Sequence, residues 1–116
     1  MGRENDFEFV KWAKEIKIRD RFICQICDML SLENKNTYLE SHHLFSWDKY
    51  PNLRYDEQNG ICICKYHHDS FHERFGFGNN TKYQFDQYVQ IIKIFEKLLK
   101  SETPPAFLSF NEKKEK

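Results

Sequence analysis

Two pairs of metal-ligating side chains share one internal spacing, Cys24-x2-Cys27 and Cys64-x2-His67. Three thiolates and an imidazole arranged in two such knuckles suit a tetrahedral structural zinc. Cys62 competes for the fourth position, because it lies two residues from Cys64 on an expected strand and hence on the same face. The repeated x2 spacing favours His67 and leaves Cys62 as a core cysteine. All five histidines fall between residues 42 and 72. His68 and His72, four apart on an expected helix, project from one face. His67 is turned about 100° from His68, so the start of one helix can serve the structural zinc through His67 and a second metal through His68 and His72. His42 and His43 are neighbours at a strand end and point to opposite faces. One metal ligand and one general base is the economical reading of that pair. An imidazole with an ordinary pKa of about 6.5 is suited to taking a proton from water.

The elements that must position these groups are legible in the pattern. Residues 7–18 read as a helix, with Phe9, Trp12, Ala13 and Ile16 at helical spacing and Lys11, Lys14 and Lys17 on the other side. Residues 28–36 are polar and loop-like. A first strand is expected over 37–42 and a second over 61–64, joined by a long loop through Trp47, Tyr50-Pro51 and Arg54-Tyr55 to Asn59-Gly60. A short helix follows, from about residue 66 or 69 to Phe75, and Gly76 and Gly78 are suited to stopping it. Thr81 and Gln84 form a capping-box pattern opening a last helix over about 81–100. Its apolar residues spread wider than one stripe, which implies deep burial or a flank that meets a partner chain, such as a second copy or a larger assembly. Pro104-Pro105 ends the order, so residues 104–116 are expected to be a partly disordered tail and residues 1–103 a single domain with its core over about 19–76.

Composition narrows the classes. With 116 residues, 40% hydrophobic and 16% aromatic, the chain has room for one modest core rich in large side chains. Lys plus Arg and Asp plus Glu are equal at 18 each. A phosphate-binding surface would therefore have to come from local placement rather than from a positive surplus. No apolar run approaches a membrane span and the N-terminus has no signal-peptide core, so a cytoplasmic location is expected. Four cysteines in a reducing compartment favour metal over disulfides, and the Asn79-Asn80-Thr81 sequon is expected to be idle.

The ordered combination resembles the HNH endonucleases. It comprises Ser41-His42-His43-Leu44, then Trp47 and Tyr50-Pro51-Asn52-Leu53-Arg54-Tyr55-Asp56, then Asn59-Gly60-Ile61, and finally Cys64-x2-His67-His68-x3-His72. With the stretch over residues 78–85 it is most similar to small phage and intron-associated members, over about residues 19–86. The resemblance implies an α+β fold with a ββα-metal (His-Me finger) core, structural zinc knuckles and flanking N- and C-terminal helices. It implies His43 as general base, Asn59 as the brace of the loop that orients it, and His42 and His68 as ligands of the catalytic ion, with His72 a candidate third. It departs from the family at His67, where cysteine is commoner, and at His42, where many members have Asp. An imidazole-rich set should favour Mn²⁺, Ni²⁺ or Zn²⁺ over Mg²⁺, which prefers oxygen.

DNA is the implied partner and phosphodiester hydrolysis the implied reaction, by nicking or by cutting both strands. Arg54, Lys65 and Arg74 are candidate phosphate contacts, weighed against ordinary solvated surface. Trp47, Tyr50 and Tyr55 are suited either to stacking on bases or to capping the small core. The competing function is a zinc-stabilised module that binds nucleic acid or protein without catalysis.

Overall fold

The computed structural model describes residues 3–32 and 38–99; the tail expected over 104–116 lies outside the described residues. Helix α1, Phe7–Arg19, starts where Asp6 in extended backbone accepts a hydrogen bond from the Phe9 amide at 3.1 Å. Such a side-chain cap satisfies one of the amides left orphaned at a helix start. Its Trp12 and Ile16 are buried, as the helical spacing requires. A short helix α2, Gln25–Met29, which the sequence pattern does not predict, covers the first cysteine knuckle and runs two residues into the stretch expected to be loop. The Cys24 side chain caps it, accepting from the Cys27 amide at 3.5 Å.

Strands β1, Leu39–His43, and β2, Gly60–Cys64, pair antiparallel, and helix α3, Lys65–Phe75, follows β2 without a break. This is the ββα order. In the register, Ser41 faces Cys62, His42 faces Ile61 and His43 faces Gly60. Period-two alternation then sorts the hairpin into two faces. Ile61 and Ile63 pack with Phe71 of α3 and with Phe85 and Val89, whereas Cys62 packs with Trp12 and Ile16 of α1. The Ser41 hydroxyl donates to the Ala13 carbonyl at 2.6 Å on that second face.

The end of α1 also protects the outer edge of β2. Asp20 accepts the Cys62 amide at 2.8 Å, and Arg19 donates to the carbonyls of Gly60 and Glu57 at 2.8 Å each. Backbone groups that would otherwise offer a template to another strand are thereby occupied. Helix α3 stops at Gly76, at φ +81°, with its amide donating to the His72 carbonyl at 2.7 Å. Helix α4, Lys82–Leu99, opens on the reciprocal capping box: the Thr81 amide donates to Gln84 at 3.0 Å and the Gln84 amide to Thr81 at 3.3 Å. Phe85, Tyr88 and Val89 bury its first half, while Ile94, Phe95 and Leu99 stand exposed on its second. Any partner contact of the kind the apolar excess implies would fall there. No described helix is long and apolar enough to cross a membrane.

Gly60 is required by a close approach rather than by its dihedrals. A Cβ on it would meet Trp12 Cζ2 at 2.5 Å and two Ile16 carbons at 2.7 Å. With only a hydrogen there, the indole lies against the strand end and reaches the side chain opposite. Gly60→Ala is expected to lower the unfolding free energy by roughly 1–3 kcal/mol, the usual cost of overpacking. In an Ile16→Ala background the same change should cost less, because the two sites share one space. Urea denaturation of the four proteins checks both statements.

Candidate functional site

Cys24 and Cys27 come from the N-terminal turn of α2, Cys64 from the end of β2, and His67 from the first turn of α3. All four are buried, and their ligand atoms lie within 4.8 Å of one another. His67 turns Nδ1 inward, 3.8 Å from Cys24 Sγ, 3.6 Å from Cys27 Sγ and 3.3 Å from Cys64 Sγ. Ordinary zinc–sulfur and zinc–nitrogen bonds in a tetrahedron place sulfur and nitrogen about 3.5 Å apart. The residues therefore fit a structural zinc. Burial pushes the Cys24 thiol up, but hydrogen bonds from His67 and from the backbone outweigh it and bring the thiol down to about 6. Burial raises Cys27 and Cys64 instead. Cys62 stands outside this cluster, on the α1 face, where burial raises its thiol to about 11.

A second cluster lies one residue further along α3. His42, His68 and His72 bring their ring nitrogens within 4.8 Å of one another. His42 is 1% exposed, and neither of its ring nitrogens has a hydrogen-bond partner. Leaving a buried polar atom unpaired is costly, so this orphaned imidazole marks a place where an ion would restore the balance. His72 donates from Nδ1 to the Gly76 carbonyl at 2.8 Å, since a carbonyl can only accept. Its Nε2 lone pair is therefore the one turned toward the cluster, the usual way an outer partner fixes a metal-binding tautomer. Burial, reinforced by the neighbouring imidazoles, holds His42 well below its ordinary pKa and His68 at about 4. Both rings are thus neutral near pH 7, the form a metal requires.

His43 points the other way, onto α1. Trp12 stacks on its ring at 3.9 Å between centroids, with 11° between planes, and Trp47 meets it edge-on at 5.6 Å. His43 Nε2 donates to the Arg54 carbonyl at 2.8 Å, which leaves the lone pair on Nδ1. Burial pulls His43 down to about 4, and the charges of Arg3 and Arg54 work in the same direction. Asn59 is buried where the loop returns. Its Nδ2 donates to the carbonyls of Phe45 at 2.9 Å and Leu53 at 3.0 Å, while its Oδ1 accepts the Phe45 amide at 2.8 Å. It thereby ties the loop together beside Arg54, the residue whose carbonyl holds His43. Asn80 closes the other side, donating to the His43 carbonyl at 3.0 Å.

His42, His43, His68 and His72 all line one cavity of about 200 Å³. Arg54, Lys65 and Arg74 do not line it. Arg54 spends Nε on the Trp47 carbonyl at 2.8 Å, with its guanidinium 4.6 Å from the Trp47 ring centroid. Lys65 pairs with Asp69 at 2.8 Å on an exposed helix face, and Arg74 lies by Phe75. Tyr55 donates to Asp6 at 2.8 Å, and Tyr50 meets Phe45 edge-on, so both tie loops together. Three cavity residues carried no sequence signal for this place: Arg3 from the short turn before α1, Asn80 from the supposed sequon, and Phe77, which stacks on His72 at 4.2 Å.

Residues 24–77 match the family model of the HNH endonucleases. No curated protein and no solved structure matches the chain. The matched span contains both clusters of potential metal ligands, His43 and Asn59, but neither Arg3 nor Trp12.

Metal analysis of purified variants separates the thiols. Cys64→Ala and His67→Ala are expected to lose most bound zinc, whereas Cys62→Ala keeps it. Asn59→Ala should lower the unfolding free energy by about 1–3 kcal/mol, because three backbone groups lose their partner; thermal or urea unfolding reads this.

Proposed function

We propose that the protein hydrolyses DNA phosphodiester bonds, a reading supported by the match of residues 24–77 to the HNH endonuclease family model. The observation that supports this most strongly is the buried, unpaired His42 beside His68 and His72 in the cavity that His43 also lines. In this reading His43 is the general base. Its Nε2 proton is held by the Arg54 carbonyl, so Nδ1 takes a proton from water. Trp12 and Trp47 keep the ring in one plane, and Asn59 fixes the loop that carries Arg54.

His42, His68 and His72 would hold the catalytic divalent ion, whose chemistry when bound is to stabilise charge on the phosphate and on the departing oxygen. Ligands that are all nitrogen favour Mn²⁺, Ni²⁺ or Zn²⁺ over Mg²⁺. Cys24, Cys27, Cys64 and His67 would hold a separate zinc that fixes the start of α3, and so the positions of His68 and His72. A zinc-stabilised binding module would have no use for a neutral, oriented imidazole next to three metal-ligating ones.

Plasmid nicking tests the proposal. His43→Ala is expected to reduce the rate by about 10²–10⁴-fold, the range for loss of a general base, with zinc content retained and the circular dichroism of the folded protein unchanged. EDTA should abolish nicking, and Mn²⁺ should restore it better than Mg²⁺. Nicking that ignores EDTA or His43→Ala would leave the binding module as the better reading.

A further inference from the structure

The charges lining the cavity are uneven. Glu40 and Asp48 bring two carboxylates to its lining. Among the described residues lining it, Arg3 is the only lysine or arginine. A site for a phosphodiester has to offset the substrate's negative charge as well as these two carboxylates, and a guanidinium does this with planar donors matched to phosphate oxygens.

Arg3 is placed for this rather than left loose. Its carbonyl accepts the Asp6 amide at 2.9 Å, Asp6 caps α1, and Asp6 also accepts the Tyr55 hydroxyl at 2.8 Å. The N-terminal turn is thus fastened both to the helix that carries Trp12 and to the loop that carries Arg54. The Arg3 guanidinium lies 4.5 Å from the Trp47 ring centroid and 5.9 Å from that of Phe9. Arg54 approaches the same indole at 4.6 Å. Two guanidinium groups on one ring repel each other, and an anion in the adjoining cavity would relieve that repulsion. Arg54 is already committed to the Trp47 carbonyl and stands back from the cavity, which leaves Arg3 as the group that faces it.

We propose that Arg3, from outside the HNH-matched span, binds a phosphate of the DNA backbone next to the scissile bond, with Trp47 as the platform that holds its guanidinium flat. This rests on the nuclease reading for the identity of the ligand. A neutral chain would then gain its phosphate affinity from one placed cation at the site rather than from a basic surface.

The test uses full-length, zinc-loaded His43→Ala protein, so that DNA is bound without being cut. A fluorescein-labelled DNA duplex is titrated by anisotropy over a series of NaCl concentrations, with and without Arg3→Gln or Arg3→Lys. Removing one phosphate contact should lower the slope of log affinity against log salt by about 0.9. Arg3→Gln should therefore weaken binding about tenfold at low salt, Arg3→Lys should restore the slope, and the melting temperatures should match. An unchanged slope in Arg3→Gln, an equal loss in Arg3→Lys with a lowered melting temperature, or no binding by any form would overturn the assignment. Nicking by the Arg3-intact enzyme is scored separately. An Arg3-dependent slope in a protein that never nicks removes the hydrolase reading alone, whereas nicking with an Arg3-independent slope removes this inference alone.

Discussion

The whole site turns on the alternation of side chains at the end of β1. His42 and His43 are consecutive, so a strand must send them to opposite faces. One enters the imidazole cluster under α3 and the other lies against Trp12 of α1. A one-residue slip of the hairpin would exchange them. Register is therefore the quantity the rest of the molecule has to protect, and several independent contacts do so. Gly60 admits Trp12 only where it opposes His43, Asp20 and Arg19 grip the outer edge of β2, and Ser41 bonds to α1.

The two clusters of potential metal ligands meet at a single peptide bond, between His67 and His68. One helical step of about 100° separates a sulfur-rich environment from an imidazole-rich one. The sulfur cluster joins α2, β2 and α3, three short elements that also share one hydrophobic core. Zinc bound at such a place would contribute directly to folding, because an unfolded chain has no preformed site. The imidazole cluster has the opposite character. In it both ring nitrogens of the buried His42 are without a hydrogen-bond partner, a local cost that a bound ion would offset.

Much of this is legible in the sequence because it depends on spacing. Matched x2 knuckles, an i, i+4 histidine pair, a strand-end histidine doublet and a capping box are short-range patterns that backbone geometry converts directly into placement. The ββα order and the helices followed from them. What could not be read depends on long-range packing or on backbone groups. No helix is expected from the pattern of residues 25–29, yet Cys24 caps one there. Amphipathic spacing says that Trp12 is buried but not that it stacks on His43. Arg54 looks like a phosphate contact, whereas its carbonyl is the group that reaches the site. Asn80 resembles a sequon and instead holds the end of β1. Arg3 lies outside every motif, and only the docking of α1 brings it to the cavity.

The most direct measurement is a calorimetric titration of Ni²⁺ into the zinc-loaded protein and into its His42→Ala variant. One equivalent should bind to the wild type and none to the variant, with zinc retained in both. Failure of the zinc-loaded protein to take a second ion, or undiminished binding by His42→Ala, would contradict the claim that three imidazoles beside His43 form a metal site of their own.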